Sequence, residues 1–332
     1  MFIIESYSLA VLFCVITMLC WGSWANTQKL AGSKWRFELF YWDYVIGIVV
    51  LALIFGYTLG NKGEFGRGFS EDLFQASSKN YALAFIGGVV FNLANILIVA
   101  AIAYAGMSVA FPVGIGLALV LGVLVNYIST QKGDPILLSF GVALVALAIV
   151  LDALAYQKLA KSNQKNPKVG LALALVGGFL MSFFYFFVAR SMSLDFSNPE
   201  EGKFTPYGAV FVFSIGILLS NFIFNTILMK KPIEGTPLSG ADYFAGKPWV
   251  HLVGILGGII WCIGMSFSIL AAEKAGPAIS YGLGQGATMI AAFWGVFIWR
   301  EFKSAPKDTH IMIGGMFLLF VLGLGLIVYA GV

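Results

Sequence analysis

Carboxamide side chains interrupt two of the long apolar runs of this 332-residue sequence. Asn92 and Asn95 lie three residues apart in one run, and Gln285 follows Tyr281 by four residues in another. Residues at these spacings share a helix face, and an unpaired amide in hydrocarbon costs several kcal/mol. The amides must therefore face either a neighbouring helix, as hydrogen-bonding partners, or a wet cavity. In a cavity they would suit a neutral ligand with C=O and N–H groups, because a carboxamide both donates and accepts hydrogen bonds.

Trp21, Trp261 and Tyr281 are aromatic residues that lie deep in apolar runs. Trp and Tyr are common at membrane interfaces, and this accounts for most of the aromatic residues near the ends of the runs. A deeper ring that faces a cavity has a different use, because it can stack on a flat heterocycle. We therefore expect these three residues to bind substrate together with the amides.

Asp43 is a carboxylate that penetrates an apolar run, about 8 Å deep at a rise of about 1.5 Å per residue. Carboxylates inside membrane spans are rare and often serve proton or ion pathways. Asp43 is therefore our candidate for proton coupling. The alternative is an interfacial charge paired with Lys29, Lys34 or Arg36, which lie shortly before it in the sequence.

Metal, thiol and nucleophilic chemistry have no support in the sequence. Cys14, Cys20 and Cys262 lie inside apolar runs without a CxxC pair, and His251 and His310 are far apart in the chain. The sequence contains no Walker-A phosphate loop and no spacing typical of a nucleophile and its base. We expect neither a metal nor a cofactor, and an ATP-driven pump or a membrane enzyme is poorly supported.

The composition defines the elements that must hold these residues. Apolar residues make up 59% of the chain and charged residues only 11%, against roughly 25% charged residues in soluble domains. This excludes a soluble enzyme, a disordered protein and a nucleic-acid binder. The apolar runs are continuous, which argues against the alternating strands of a membrane barrel.

Runs of about 20 apolar residues, the length of one membrane-spanning helix, predict an all-α integral membrane protein. The ten predicted spans are 7–26, 38–59, 81–104, 107–128, 136–158, 169–190, 207–229, 249–272, 277–299 and 310–331. The connections after the third and eighth spans are very short, so the spans that they join should be antiparallel neighbours.

An internal repeat relates the two halves of the chain. Residues 87–129 align with 257–299 without a gap and share five glycines. The repeat implies five duplicated spans, 1–160 and 161–332, and because five is odd the second copy is inverted. Inverted repeats are typical of secondary transporters, whose substrate site lies near the midplane between the halves. The alternative from a different class is a membrane scaffold or receptor with an accidental repeat.

Several of these residues lie in stretches that resemble the ureide permease family of the drug/metabolite transporter superfamily. The stretches are Tyr41-Trp42-Asp43-Tyr44, Gly87 through Asn95, Leu124-x-Asn126-Tyr127, Gln285, Phe293-Trp294-Gly295-Val296 and Glu301. The chain resembles a bacterial member of this family. The resemblance implies import of a ureide or nucleobase together with protons. It also implies that the polar positions of the site are Asp43, Asn95, Asn126 and Gln285. Judged by its position in the sequence alone, Asn126 would instead be a packing or capping residue. The family's long loop after the fifth span is short here, and sugar permeases of the same superfamily are the nearest alternative.

We therefore predict a multi-pass permease of the inner or plasma membrane for a small, polar, mainly neutral solute, with protons as a partner and no nucleic acid. The loops after the first, fifth, seventh and ninth spans carry 13 of the 20 Lys and Arg residues. By the positive-inside rule these loops are cytoplasmic, which puts both termini outside. A cysteine introduced at Ser162 should then resist a membrane-impermeant thiol reagent in intact cells.

Overall fold

The computed structural model describes residues 1–32, 34–106, 110–159, 166–233 and 235–332; Ser162 lies outside them. Within these residues, ten helices are long and apolar enough to cross a membrane, which confirms the predicted all-α membrane class. We number them as spans 1 to 10: Tyr7–Ala31, Phe37–Asn61, Ser78–Ala105, Pro112–Thr130, Pro135–Lys158, Pro167–Ser191, Pro206–Lys230, Pro248–Ala275, Pro277–Ile298 and Lys307–Tyr329.

Span 1 is longer than the sequence predicts, because it continues to Ala31 instead of ending at residue 26. The polar residues near its end find partners inside the helix. The Asn26 side chain donates to the Ser23 carbonyl at 3.0 Å, and the Thr27 hydroxyl donates to the Trp24 carbonyl at 2.7 Å. These local hydrogen bonds let a polar segment extend an apolar helix.

Four of the spans are irregular. Span 2 consists of the α-helix Phe37–Tyr57 and a short 3-10 helix at Leu59–Asn61. Span 1 consists of helices Tyr7–Ser23 and Ala25–Ala31, and the α-helix Gly116–Thr130 of span 4 follows a π-helical turn at Phe111–Ile115. Span 9 consists of Pro277–Gly284, Ala287–Phe293 and a π-helical turn at Trp294–Ile298. Two short helices, Phe69–Gln75 and Gly240–Phe244, lie between spans.

Span 8 ends at Ala275, and the backbone turns at Gly276 directly into span 9. Gly276 has a φ of 85°, in the left-handed region that favours glycine, and its N–H donates to the Ala272 carbonyl at 2.9 Å. Pro277 then occupies the first turn of span 9, where a missing N–H costs little. The two spans are thus the antiparallel neighbours that the short connection predicts.

Each half of the chain packs its third helix against the other half. Span 3 packs on spans 6 and 7, and span 8 packs on spans 1 and 2. A Cβ at Gly88 would lie 2.0 Å from the Phe213 carbonyl oxygen, and one at Gly258 would lie 1.9 Å from the Tyr44 carbonyl oxygen. The backbones therefore touch at these glycines, as is usual where membrane helices associate closely. The inverted repeat itself stays a prediction.

Aromatic rings fill the centre of the bundle. The rings of Phe91 and Trp261, which the repeat places at equivalent positions, have centroids 4.5 Å apart. Phe213 stacks on Trp261 at 6.1 Å, and Tyr44 meets it edge-on at 6.4 Å. This aromatic centre fills the contact between spans 2, 3, 7 and 8, and two of its rings, Phe91 and Trp261, line the cavity described next.

Candidate functional site

A cavity of about 410 Å³ lies in the middle of the bundle, between spans 1, 2, 3, 4, 6, 8 and 9. Its polar side chains are Gln28, Asn95, Gln285 and Thr288, and no charged residue of the described chain lines it. Its rings are Trp21, Trp24, Phe37, Phe91, Phe184 and Trp261. The cavity thus combines flat aromatic surfaces with a few groups that donate and accept hydrogen bonds, which is typical of small-molecule sites.

Four of the seven residues predicted to bind substrate line this cavity: Trp21, Asn95, Trp261 and Gln285. Asn95 is half-buried, and its Nδ2 donates to the Tyr41 hydroxyl at 3.1 Å. No described residue donates to its side-chain oxygen. Tyr41 therefore orients the amide and leaves the oxygen of Asn95 available as an acceptor in the cavity.

Gln285 lies at the break in span 9, between helices Pro277–Gly284 and Ala287–Phe293. Its backbone N–H still donates to the Tyr281 carbonyl at 3.1 Å, but the chain turns at Gln285 and Gly286 before the second helix begins. Discontinuous helices at the midplane are typical of substrate sites in transporters. Gln285 lines the cavity at this break, together with Gly284 and Ala287 on either side of it.

The Trp21 indole is held in place by span 8. It stacks on Trp261 with ring centroids 5.8 Å apart and planes 13° apart, and its Nε1 donates to the Trp261 carbonyl at 3.2 Å. A Cβ at Gly284 would lie 2.8 Å from Trp21 Cζ3, so only glycine fits beside the ring. Because the indole N–H is engaged, Trp21 offers the cavity a flat apolar surface.

Gln28 is a cavity residue that the sequence analysis missed. It lies one turn after Trp24 in span 1, and both side chains line the cavity together with Trp21. Trp24 follows Trp21 by three residues and Gln28 follows Trp24 by four, which places the three side chains on one helix face. That signal was present, but the polar segment around Gln28 favoured the interpretation of a loop.

Asn92 lies away from the cavity, on the face of span 3 that packs on span 7. It is fully buried, and its Nδ2 donates to the Ser220 hydroxyl at 2.9 Å and the Ile217 carbonyl at 3.3 Å. Asn92 therefore joins span 3 to span 7 by hydrogen bonds. A neighbouring helix as partner was the alternative to a wet cavity that the sequence left open for this residue.

Tyr281 and Asn126 lie at the contact between spans 4 and 9, outside the cavity lining. The Tyr281 hydroxyl donates to the Ala118 carbonyl at 3.1 Å, and a Cβ at Gly122 would lie 2.3 Å from the Tyr281 ring. Asn126 is 1% exposed, and its Nδ2 donates to the Gly122 carbonyl at 2.8 Å within its own helix. Tyr281 thus packs span 9 against span 4, whereas Asn126 is satisfied within span 4.

Asp43 also lies outside the cavity, at a junction of span 2 with span 8. It is 1% exposed and accepts hydrogen bonds from the Tyr243 hydroxyl at 2.6 Å and from His251 Nδ1 at 3.0 Å. The basic residues considered from the sequence have other positions: Lys29 pairs with Glu301, Arg36 pairs with Glu38, and no described contact joins Lys34 to Asp43. His251, far away in the sequence, is the partner that the sequence analysis missed.

The cavity extends toward the side of the bundle that carries the loops after spans 1, 3, 5, 7 and 9, which we call the basic side. Gln28 near the end of span 1 and Phe37 at the start of span 2 both line it. On the opposite side, which carries both termini and which we call the terminal side, a buried hydroxyl network closes the bundle. It joins Tyr185, Ser268 and Ser280, with a Tyr185 to Ser280 distance of 3.2 Å and a Ser268 to Ser280 distance of 2.9 Å.

A bundle of membrane-spanning helices around a central cavity whose described lining is uncharged defines a multi-pass membrane transporter. The family model for "Ureide permease" matches residues 40–167 and 146–330. The chain belongs to the ureide permease family.

Similar proteins come from plants and bacteria. Ureide permease 1 of Arabidopsis thaliana is 22% identical over 98% of each chain, and Ureide permease 3 of the same plant is 25% identical over 94% of this chain and 97% of its own. A "Putative sugar uptake protein" of Enterococcus faecalis is 21% identical over 94% of this chain and 96% of its own. A solved crystal structure aligns with a TM-score of 0.61 at 14% identity, over 97% of this chain and 96% of the other, which shows a common fold.

Proposed function

We propose that this transporter moves a small, polar, uncharged solute with a flat ring, a ureide or a nucleobase, by alternating access. The observation that carries the proposal is the composition of the cavity wall. The carboxamides of Gln28, Asn95 and Gln285 lie beside indole rings, and none of the described lining residues is charged. Amides match C=O and N–H groups in either direction, and aromatic faces match flat rings. The volume of about 410 Å³ falls within the usual range for small-molecule sites.

A sugar is the second candidate substrate. It is favoured by the bacterial relatives named for sugar uptake, whose 21% identity is close to the 22% of Ureide permease 1. A sugar, with its many hydroxyl groups, would favour more carboxylates and hydroxyls in its site. In the described cavity lining, Thr288 supplies the hydroxyl and no carboxylate is present, which favours the heterocycle.

Alternating access would require the two five-span halves to rock against each other. The reciprocal packing of span 3 on spans 6 and 7, and of span 8 on spans 1 and 2, supports two equivalent joints for this movement. In the state described here the cavity faces the basic side, which the positive-inside rule makes cytoplasmic. The structure would then correspond to an inward-facing state.

Proton coupling is assigned to Asp43 in this proposal. The support is its burial, 1% exposed, and its position at a joint between a first-half and a second-half helix. A buried carboxylate is costly when charged and unpaired. Gain or loss of one proton at Asp43 would therefore change the free energy of the joint between spans 2 and 8, and this would link the proton to the movement.

A thermal-shift panel on the purified protein tests the substrate class. The panel contains uracil, xanthine, allantoin, glucose and rhamnose at equal concentrations. A ligand at 100 times its Kd stabilises a folded protein by roughly 2.7 kcal/mol, so a bound heterocycle should raise Tm while the sugars leave it unchanged. Stabilisation by the sugars alone would select the second candidate.

A further inference from the structure

The buried carboxyl group of Asp43 lies where span 2, span 8 and the short helix Gly240–Phe244 meet. Its Oδ1 atom accepts a hydrogen bond from the Tyr243 hydroxyl at 2.6 Å, and His251 Nδ1 lies 3.0 Å from Oδ1 and 3.1 Å from Oδ2. A Cβ at Gly254 would lie 2.4 Å from the Asp43 Cβ, so the absence of a side chain there gives the carboxyl group its room. Asp43 is thus enclosed, and its described polar neighbours are the Tyr243 phenol, the His251 imidazole and the indole N–H of Trp35.

His251 connects this enclosed carboxyl group to the surface. Its side chain is 22% exposed, whereas the side chain of Asp43 is 1% exposed. The second ring nitrogen, Nε2, lies beside Gly246, where an added Cβ would approach it to 2.6 Å. Trp35 packs edge-on against the ring with centroids 5.0 Å apart and fixes its plane. Nδ1 therefore faces Asp43, and Nε2 has no hydrogen-bonding partner among the described residues, in a side chain that is partly exposed.

We propose that His251 is the residue through which protons reach and leave Asp43 from the basic side. The proposal rests on the proposed function, in which Asp43 carries the coupling proton. Nε2 takes a proton from a hydronium ion of the solvent, which leaves water, and Nδ1 then gives its own proton to Oδ1 of Asp43. The imidazole is neutral before and after, with its N–H moved from Nδ1 to Nε2, and the carboxyl group has gained one proton. Reversal of both steps releases the proton to the same side.

The surroundings of His251 are suited to this relay. Asp43 faces it from span 2 and Tyr243 faces it from the short helix, while Trp35, from the loop after span 1, packs on it without titrating. Lys247, next to the first turn of span 8, is exposed. Among the described residues, Asp43 is therefore the acidic group within hydrogen-bonding distance of the imidazole.

The nearest ion pair of span 2 does not compete for Asp43. Arg36 donates to the Glu38 carboxylate and also to the Thr236 carbonyl at 2.6 Å. The guanidinium is engaged by these two groups, and no described contact joins it to Asp43. The proton on Asp43 thus exchanges with His251 and not with a permanently charged neighbour.

The junction is connected to both walls of the cavity. Two residues before Asp43 in span 2, the Tyr41 hydroxyl accepts the hydrogen bond from Asn95. His251 lies in the first turn of span 8, which also carries the cavity residue Trp261. A shift of span 2 against span 8 on protonation would therefore reach the amide and the ring that face the solute.

Infrared spectroscopy after a rapid drop in pH tests the relay without any solute. The carboxylic C=O band that appears on acidification and is missing in Asp43→Asn reports protonation of Asp43. In His251→Gln this band should appear at least tenfold more slowly than in the unmodified protein. His310→Gln is the matched control, because His310 is exposed and is the other histidine of the chain; it should leave the rate unchanged.

Replacement of histidine by 2-fluorohistidine in the His310→Gln background gives a second version of the test that preserves packing. The ring keeps its shape but is far less basic, so the band should again be slowed at least tenfold. An unchanged rate in both versions would overturn the relay while leaving Asp43 as the coupling residue. Absence of any band that depends on Asp43 would overturn both the relay and the coupling role of Asp43. Neither of these two outcomes depends on which solute the thermal-shift panel selects.

Discussion

The side chains of Asn95 and Gln285 offer the cavity hydrogen-bonding groups that no described residue uses. Each hydrogen bond to a neutral ligand contributes about 0.5–1.5 kcal/mol, which is roughly a twofold to tenfold change in affinity. We therefore expect Asn95→Ala and Gln285→Ala each to raise the Kd of the stabilising ligand by about that factor. Isothermal calorimetry on the purified variants measures the effect.

Asn92→Ala is the matched control for these two variants, because Asn92 lies in the same helix as Asn95 but bonds to span 7. It should lower Tm and leave the Kd unchanged. A weaker affinity in Asn92→Ala, with normal affinity in Asn95→Ala, would exchange the roles of the two residues.

Asp43→Asn separates coupling from binding. The amide keeps the size of the side chain but takes up no proton, so accumulation driven by a pH gradient should be lost. Counterflow exchange of the ligand, which needs no net proton movement, should continue. Proteoliposomes with and without a pH gradient measure both, and gradient-driven accumulation at the normal level would exclude a coupling role for Asp43.

Individual residues show where sequence patterns stop being informative. Asn92 and Asn95 share a helix face in the broad sense, yet three residues correspond to a rotation of about 60° from perfect alignment. That angle is enough to turn one amide toward span 7 and the other toward the cavity. The contact of Asp43 with His251 joins residues 208 positions apart, and no local pattern could have indicated it.

At the scale of helices, the glycines at the crossing of spans 2 and 8 determine how closely the two backbones approach. A Cβ at Gly258 would lie 1.9 Å from the Tyr44 carbonyl oxygen, so Gly258→Ala must push the helices apart. Overpacking of this kind costs about 1–3 kcal/mol. We expect a clear loss of Tm and of monodisperse protein on size exclusion.

Gly314→Ala is the matched control, because a Cβ there meets nothing within 4 Å. Alanine is the better helix former, so this variant should keep or slightly raise Tm. Equal stability of Gly258→Ala and Gly314→Ala would contradict the close contact between the backbones of spans 2 and 8 at Gly258.

The loops on the terminal side are joined through a buried carboxyl group, Asp72. It accepts hydrogen bonds from the Thr205 N–H and hydroxyl at 2.9 Å, and Arg67 Nε lies 3.5 Å away. Burial raises the pKa of Asp72 to about 6, and the bonds from Thr205 and the charge of Arg67 offset only part of this effect. The folded protein therefore binds more protons than the unfolded chain between about pH 4 and pH 6.

This difference gives a sign for the dependence of stability on pH. Where the folded state holds the extra proton, stability falls as pH rises through the folded pKa. The Asp72 carboxyl group should thus raise Tm on going from pH 7 to pH 5, and Asp72→Asn should remove that increment. Glu71→Gln, at the exposed neighbouring position, should retain it; equal pH profiles for the wild type and Asp72→Asn would contradict the assignment.

At the scale of the whole molecule, the spans and their number follow from sequence because each needs only a continuous apolar segment. The cavity does not follow in the same way. Its wall combines residues from seven spans, and which face of each helix turns inward depends on the packing partners. Gln28 illustrates this, because its polar neighbours indicated a loop while the fold made it part of the cavity.

The orientation of the bundle follows from charge, since the basic side carries 13 of the 20 Lys and Arg residues and should be cytoplasmic. Ser304 is exposed in the loop after span 9 on the basic side, and Asn198 is exposed in the loop after span 6 on the terminal side. In a background without Cys14, Cys20 and Cys262, Asn198→Cys should react with a membrane-impermeant maleimide in intact cells. Ser304→Cys should react only after the membrane is permeabilised. The reverse pattern would invert the bundle, and the cavity of this structure would then face outward.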